Sequence, residues 1–371
     1  MNDLTAALLL NSIQELGCRR FKELVDAFGS PSSVFSAPDK EIKQTSQISE
    51  TLLYKIRRLK ENDSVKYLIN KCSDCNYNII FYGSAGYPYN LAELHSPPSI
   101  LYSTNYFSEK DKNSIAIVGS RFATKYAITT TEDFAKKLTA AGLTIVSGFA
   151  KGIDITAHLS AIEAGGRTVC VLGTGLDRKY IYPAEHKYYY DKFLKNENVI
   201  FLSEYPPDTI AAKQNFPARN RIISGLSLGT LVVQAGKKSG ALITADMALE
   251  QNREVFATPD RIGQINSVGT NELIKKGCAK LVQNVSDILE ELNFEIKSET
   301  INSSRRTSLQ KILSPVEEKV LAVLTDTPQK FSDIAESLEM DENQLNVVLL
   351  KLEIKNLACR FPGHLFFRIG H

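Results

Sequence analysis

No apolar run in the sequence approaches the ~20 residues needed to cross a bilayer. The opening MNDLTAALLLNSIQELG has no basic segment leading into a long apolar core and a small-residue cleavage site. A cytoplasmic protein without a membrane span is therefore expected. The six cysteines supply one Cys-x-x-Cys, Cys72 and Cys75, with no second pair at zinc spacing. That leaves either two reduced thiols packed at a helix end or half of a redox or metal site. With 44 basic residues against 42 acidic, the net charge of +2 excludes a histone-like polycation but not a local basic face. Also missing are a G-x-G-x-x-G dinucleotide fingerprint and a G-x-x-x-x-G-K-[ST] phosphate loop.

One absence is local. From Lys213 to Ala245 there is no Asp or Glu, yet the stretch carries Lys213, Arg219, Arg221, Lys237 and Lys238. In a chain of nearly balanced charge, these cations lack acidic neighbours along the sequence.

A length of 371 residues suggests two or three domains. Residues 1–110 begin helical, with Leu8, Ile13, Leu16, Phe21, Leu24, Val25 and Phe28 at helical spacings, and carry a short apolar strand at Ser99–Tyr102. The Gly17 turn beside Arg19, Arg20 and Lys22 has the pattern of a helix-hairpin-helix (SAM-like) domain, which is either a holder of DNA backbone or a packing bundle. Residues 111–294 alternate short apolar runs (SIAIVG, LTIVSG, RTVCVLG, NVIFLS, GTLVVQA, EVFAT and AKLV) with segments of helical period. Such runs suit strands covered on both faces. The expectation is an α/β, Rossmann-like, doubly wound, mostly parallel sheet. Residues 295–311 are polar and read as a linker, and 312–371 as a winged helix whose wing turns at Pro362-Gly363. The third helix of that module starts acidic, so a protein contact is as open as groove reading.

Ligands of parallel sheets bind beyond the carboxyl ends of the strands. There the successive loops place Gly119-Ser120-Arg121, then Gly148-Phe149-Ala150-Lys151-Gly152, then Gly173-Thr174-Gly175, then Glu204 with Lys213, Phe216, Arg219, Asn220 and Arg221, and then Gly236-Lys237-Lys238-Ser239-Gly240. Glycines admit close backbone approach, and helix N-termini favour anions. A mononucleotide needs two or three cations; this edge offers Arg121, Lys151, Lys213, Arg219, Lys237 and Lys238, with Phe149 and Phe216 among them. Cations interleaved with aromatic platforms fit a single-stranded nucleic acid. Two alternatives stay open: Arg221 could instead pair with Glu204, and Phe149 could fill a gap between helix and sheet. Asp154 and His158 share a helix face, either as an acid–base or metal pair or as a cap with a packed histidine. His186 stands alone. No catalytic residue, metal or cofactor is expected.

VGSR (118–121), SGFAKGIDITAH (147–158), VLGTGLD (171–177), YPAEH (182–186), SEYPP (203–207), FPARNRIISGLS (216–227) and KSGALITA (238–245) occur in an order that resembles the DNA-processing protein A (DprA/Smf) family. The resemblance covers almost the full chain. It implies single-stranded DNA binding that protects incoming DNA during natural transformation, delivery of that DNA to a RecA-type recombinase, and a homodimer formed through the Rossmann-like domain. It further implies that Arg121, Lys213, Phe216 and Lys238 contact the strand. At Ala257–Ala279 the chain departs from the family's usual form, with Asp260 and Arg261 where a glycine-containing turn is customary. The alternative is a nucleotide hydrolase of related fold, whose PGGxGTxxE motif is missing here.

Overall fold

Strand β3 (Ser114–Gly119) has neighbours on both sides: β4 (Thr144–Ser147) on one and β7 (Gly229–Gln234) on the other, both parallel to it. Outward from β4 come β5 (Thr168–Leu172) and β6 (Val199–Ser203), and outward from β7 come β8 (Glu254–Ala257) and β9 (Lys280–Leu281). The winding therefore reverses between β3 and β7, which is where open α/β sheets form their crevice. Two antiparallel strands, β1 (Asn78–Phe81) and β2 (Ile100–Ser103), extend the β6 side to a nine-stranded sheet. In this computed structural model, residues 1–294, 313–325, 327–354, 357–361 and 365–368 are described, in two units that divide after Ile296.

Alternation along the strands assigns the two faces. Ile115 and Ile117 meet Phe134, Leu138, Ala157 and Ala161 of the helices Lys125–Ala140 and Ile153–Glu163. Ala116 and Val118 meet Ile222 and Ile223 of the helix Asn215–Leu226, with Ala241 and Ala245 of the helix Gly240–Glu250 beside them. Burial on both faces explains the almost wholly apolar strands.

The expected boundary at residue 110 falls inside this packing. Strands β1 and β2 are four residues each and cannot bury themselves alone. They add to the sheet, and Leu9, Leu24 and Ile56 of the N-terminal helices share one core with Tyr102, Cys170 and Phe201. The cations at the Gly17 turn are engaged internally: Arg19 pairs with Glu23 at 2.8 Å, Lys22 with Asp26 at 2.9 Å, and Arg20 donates to the Glu15 carbonyl at 3.0 Å. Cys72 and Cys75 are both free, and burial pushes the Cys72 thiol up to about 12, away from thiolate chemistry.

In the second unit, helices Pro315–Val323, Phe331–Leu338 and Glu342–Ile354 accompany strands β10 (Gln329–Lys330), β11 (Ala358–Phe361) and β12 (Leu365–Arg368), in sheet order β10-β12-β11. Val320, Ile334, Leu345, Leu349 and Phe366 form its core. The third helix opens on Asp341, whose carboxylate accepts from Asn343 N at 3.0 Å. That carboxylate favours the helix N-terminus rather than DNA phosphate. The linker at 295–311 and the turn at Pro362-Gly363 lie outside the described residues.

Candidate nucleic-acid interface

The two ends of the parallel strands differ in kind. At the amino end Asp111 is buried, paired with Arg167 at 2.8 Å and accepting from Thr144 Oγ1 at 3.0 Å. The carboxyl end exposes Arg121, Lys213, Lys237 and Lys238. Among the described residues none of these four has an ion-pair partner.

Arg121 owes its place to a close backbone approach. Gly152 has φ 72°, and a Cβ there would sit 2.3 Å from Ser120 O and 3.0 Å from Arg121 O. Glycine alone lets the β4 loop lie directly under the β3 loop. Ser120 N donates to Gln234 O of β7 at 2.7 Å, which joins the third loop of the crevice. Arg121 then lines a cavity of about 40 Å³ with Gly148, Ala150, Lys151, Tyr182, Pro183, Phe216 and Arg219.

Phe216 is half-buried against the end of β5, where Gly173 leaves room for its ring: a Cβ at Gly173 would meet Phe216 Cδ1 at 2.8 Å. Its ring centroid lies 5.3 Å from that of Tyr182, which is 48% exposed. This partly open aromatic pair beside Arg121 is the kind of platform on which a base stacks. Tyr182 was missed in the sequence. Its only signal is an aromatic residue in the proline-containing loop YPAEH, beyond β5.

Lys151 is exposed but paired with Glu185, both about half accessible, a contact weak enough for phosphate to replace. Ser239 caps the helix Gly240–Glu250 through Ala241 N at 3.3 Å, and the Gly240 carbonyl accepts from Asn220 Nδ2 at 3.3 Å. Asn220 therefore ties two helices together rather than reaching outward. Gly119 is a close-packing position, where a Cβ would strike Ile153 Cγ1 at 2.5 Å.

Two further expected contacts are corrected. Phe149 is fully buried, its ring 5.2 Å from both His186 and Phe201, at the cost of a left-handed φ of 56°. It plugs the gap beneath the loop and offers no face to a base. Arg219 is 4% exposed; Nη1 donates to Gly148 O at 2.7 Å and also to Val171 O. Burial lowers its pKa to about 10, so it remains a cation inside the fold. Only part of it reaches the cavity. The open alternative for Arg221 resolves likewise: it pairs with Glu204 and donates to Ser96 O at 3.2 Å.

Asp154 and His158 do not form an accessible pair. The buried Asp154 carboxylate accepts from Gly148 N at 3.2 Å and Ala150 N at 3.4 Å, fixing the loop before its own helix. Thr168 Oγ1 gives its proton to Ile145 O at 2.8 Å, so His158 Nδ1–H is the donor in their 2.7 Å contact. Burial pushes His158 down to about 3 and keeps it neutral.

Residues 78–293 match the family model for DNA recombination-mediator protein A, and residues 304–364 match that for the DprA winged helix domain. The chain is 43% identical over 216 residues to DNA processing protein DprA of Bacillus subtilis, covering 58% of this chain and 71% of that protein. It is 36% identical over 291 residues to Protein Smf of Escherichia coli, covering 78% and 76%. The X-ray structure of DNA processing protein A from Streptococcus pneumoniae superposes with a TM-score of 0.66 at 30% identity, over 78% of this chain and 98% of that one. A structure concerned with the single-stranded DNA binding mode of DNA processing protein A from Helicobacter pylori superposes with a TM-score of 0.51 at 31% identity, over 58% and 95%.

Proposed function

From the premise that this chain belongs to the DNA recombination-mediator protein A family, we propose that it binds single-stranded DNA across the carboxyl edge of its sheet. The observation that carries this reading is the edge itself: around the Tyr182–Phe216 pair, Arg121, Lys213, Lys237 and Lys238 are exposed and have no acidic partner among the described residues. Arg121, Lys213, Lys237 and Lys238 neutralise phosphates, and the aromatic pair takes a base. The single-stranded DNA binding described for the Helicobacter pylori relative supports the same ligand here. On this reading the chain protects incoming DNA during natural transformation and passes it to a RecA-type recombinase. A homodimer through the Rossmann-like domain engages one strand at two sites and gains from effective concentration.

A nucleotide hydrolase needs a pocket of roughly 300 Å³ or more. The cavity at this edge is about 40 Å³, and Asp154 and His158 are turned into the core. These features favour a surface-bound polymer.

Fluorescence anisotropy of a labelled single strand tests the assignment. Arg121→Glu and Lys238→Glu are each expected to weaken binding without changing the circular dichroism spectrum. Unchanged affinity in both variants would contradict the proposed edge.

A further inference from the structure

Phe122 follows Arg121 and is 82% exposed, yet its backbone is fixed on both sides. Its N–H donates to Ser120 Oγ at 3.1 Å, and its carbonyl accepts from Asn266 Nδ2 at 3.0 Å. Two residues on, Thr124 N donates to Gln234 Oε1 at 3.0 Å. The fully buried Gln234 returns Nε2 to Thr124 Oγ1 at 3.0 Å and to Asp260 Oδ2 at 2.7 Å. Asp260 stands where the resemblance leads one to expect a glycine-containing turn. It also accepts from the Ser267 hydroxyl, and its carbonyl accepts from Asn271 Nδ2 at 3.0 Å. Asp260 thus joins the loop beyond β8 to the loop that carries Phe122.

A solvent-facing ring on a loop whose backbone is tied down is open to a partner, and contact with one would remove its apolar surface from water. The surroundings choose its chemistry. Arg121, Lys125, Lys237, Lys238 and Arg261 are exposed, and none forms an ion pair among the described residues. The Asp260 carboxylate is engaged by Gln234, Ser267 and Arg261 N. The loop carrying Asn266, which holds the Phe122 carbonyl, exposes Ile262 at 99% and Ile265 at 82%. An apolar ring set among unpaired cations matches a flat apolar group carried on an anionic chain.

We infer that Phe122 is a second base-stacking platform, occupied by a nucleotide of the same single strand beyond the Tyr182–Phe216 pair. The inference rests on the proposed function. The β3 loop lies between the β4 and β7 loops, so a strand leaving Phe216 and crossing Arg121 reaches Phe122 next, with Lys237 and Lys238 beyond it. The sheet edge then holds a longer strand than the small cavity alone would suggest, and Asp260 sets the platform's position.

The chain contains no tryptophan, so Phe122→Trp in the full-length protein introduces a single indole reporter. It is titrated with a thymidine homopolymer of about 16 nucleotides and with an abasic strand of equal length. The thymidine strand is expected to quench the indole and the abasic strand to leave it unchanged. In parallel, Phe122→Ala is expected to weaken binding of the long thymidine strand roughly tenfold, while a strand of about four nucleotides binds as to the parent. Binding without quenching, together with parental affinity in Phe122→Ala, would overturn the platform, leave the proposed function standing and point to a protein partner for the exposed ring. Failure of the parent chain to bind any strand would overturn both.

Discussion

Arg121 and Arg219 line the same cavity, and substitution should separate them cleanly. Arg121 is exposed and has no ion-pair partner among the described residues, so its replacement acts on binding. Arg219 is buried, and truncation to Met would leave the Gly148 and Val171 carbonyls without this donor and Asp154 without the stronger of its two cationic neighbours, Arg219 and Arg121. Arg219→Met is expected to cost about 3 kcal/mol of stability, read as a lower urea midpoint. A midpoint equal to the parent's would return Arg219 to the DNA-facing set. This division was only half legible in the sequence. The missing acids between Lys213 and Ala245 drew attention to the right segment. Whether an arginine in that segment points outward depends on helix phase against a sheet, which composition does not encode. Phe149 was hidden for a related reason: its left-handed backbone, which turns the ring inward, is rare for an aromatic residue and has no local signature.

At the scale of elements, the loops rather than the strands are the devices. The β4 loop is shaped from within by Asp154 and from without by Gly152, whose missing Cβ lets the β3 loop settle on it. Gly152→Ala is therefore expected to displace Arg121 and lower DNA affinity at least as much as removal of Arg121 itself. Parental affinity in Gly152→Ala would show that the loop has room to adjust. The helix behind this loop also carries a pH signature. His158 has an ordinary pKa near 6.5 in the unfolded chain and about 3 when folded. Below pH ~6.5 the unfolded state binds the extra proton, so stability falls with falling pH at about 1.4 kcal/mol per unit. The same stability is fully present above that range. His158→Asn should lose this slope between about pH 6 and pH 4, as followed by urea midpoints. An unchanged slope would assign the acid sensitivity to other groups, including His186, whose pKa burial also lowers. The glycine-rich ends of the strands were legible because turns demand glycine. The antiparallel pair β1 and β2 was not assigned to the sheet, because four-residue strands give too little alternation to declare their partners.

For the whole molecule, charge is nearly balanced, and its distribution separates an amino end where Asp111 pairs with Arg167 from a carboxyl end that exposes Arg121, Lys213, Lys237 and Lys238. The order of β-α units was readable from the apolar runs. The shared core between the N-terminal helices and the sheet was not, since it gathers residues far apart in the chain, such as Leu24, Tyr102 and Phe201. If one protomer neutralises about four phosphates, the single-strand salt slope is about −2.8, and affinity should fall roughly 50-fold between about 50 and 200 mM salt. The measurement that tests the account most directly is anisotropy of one labelled oligonucleotide, single-stranded and as a duplex, across that salt series. Preference for the single strand with a slope near −2.8 is the predicted result. Binding that favours the duplex, or that ignores salt, would contradict a single-strand groove built from Arg121, Lys213, Phe216 and Lys238.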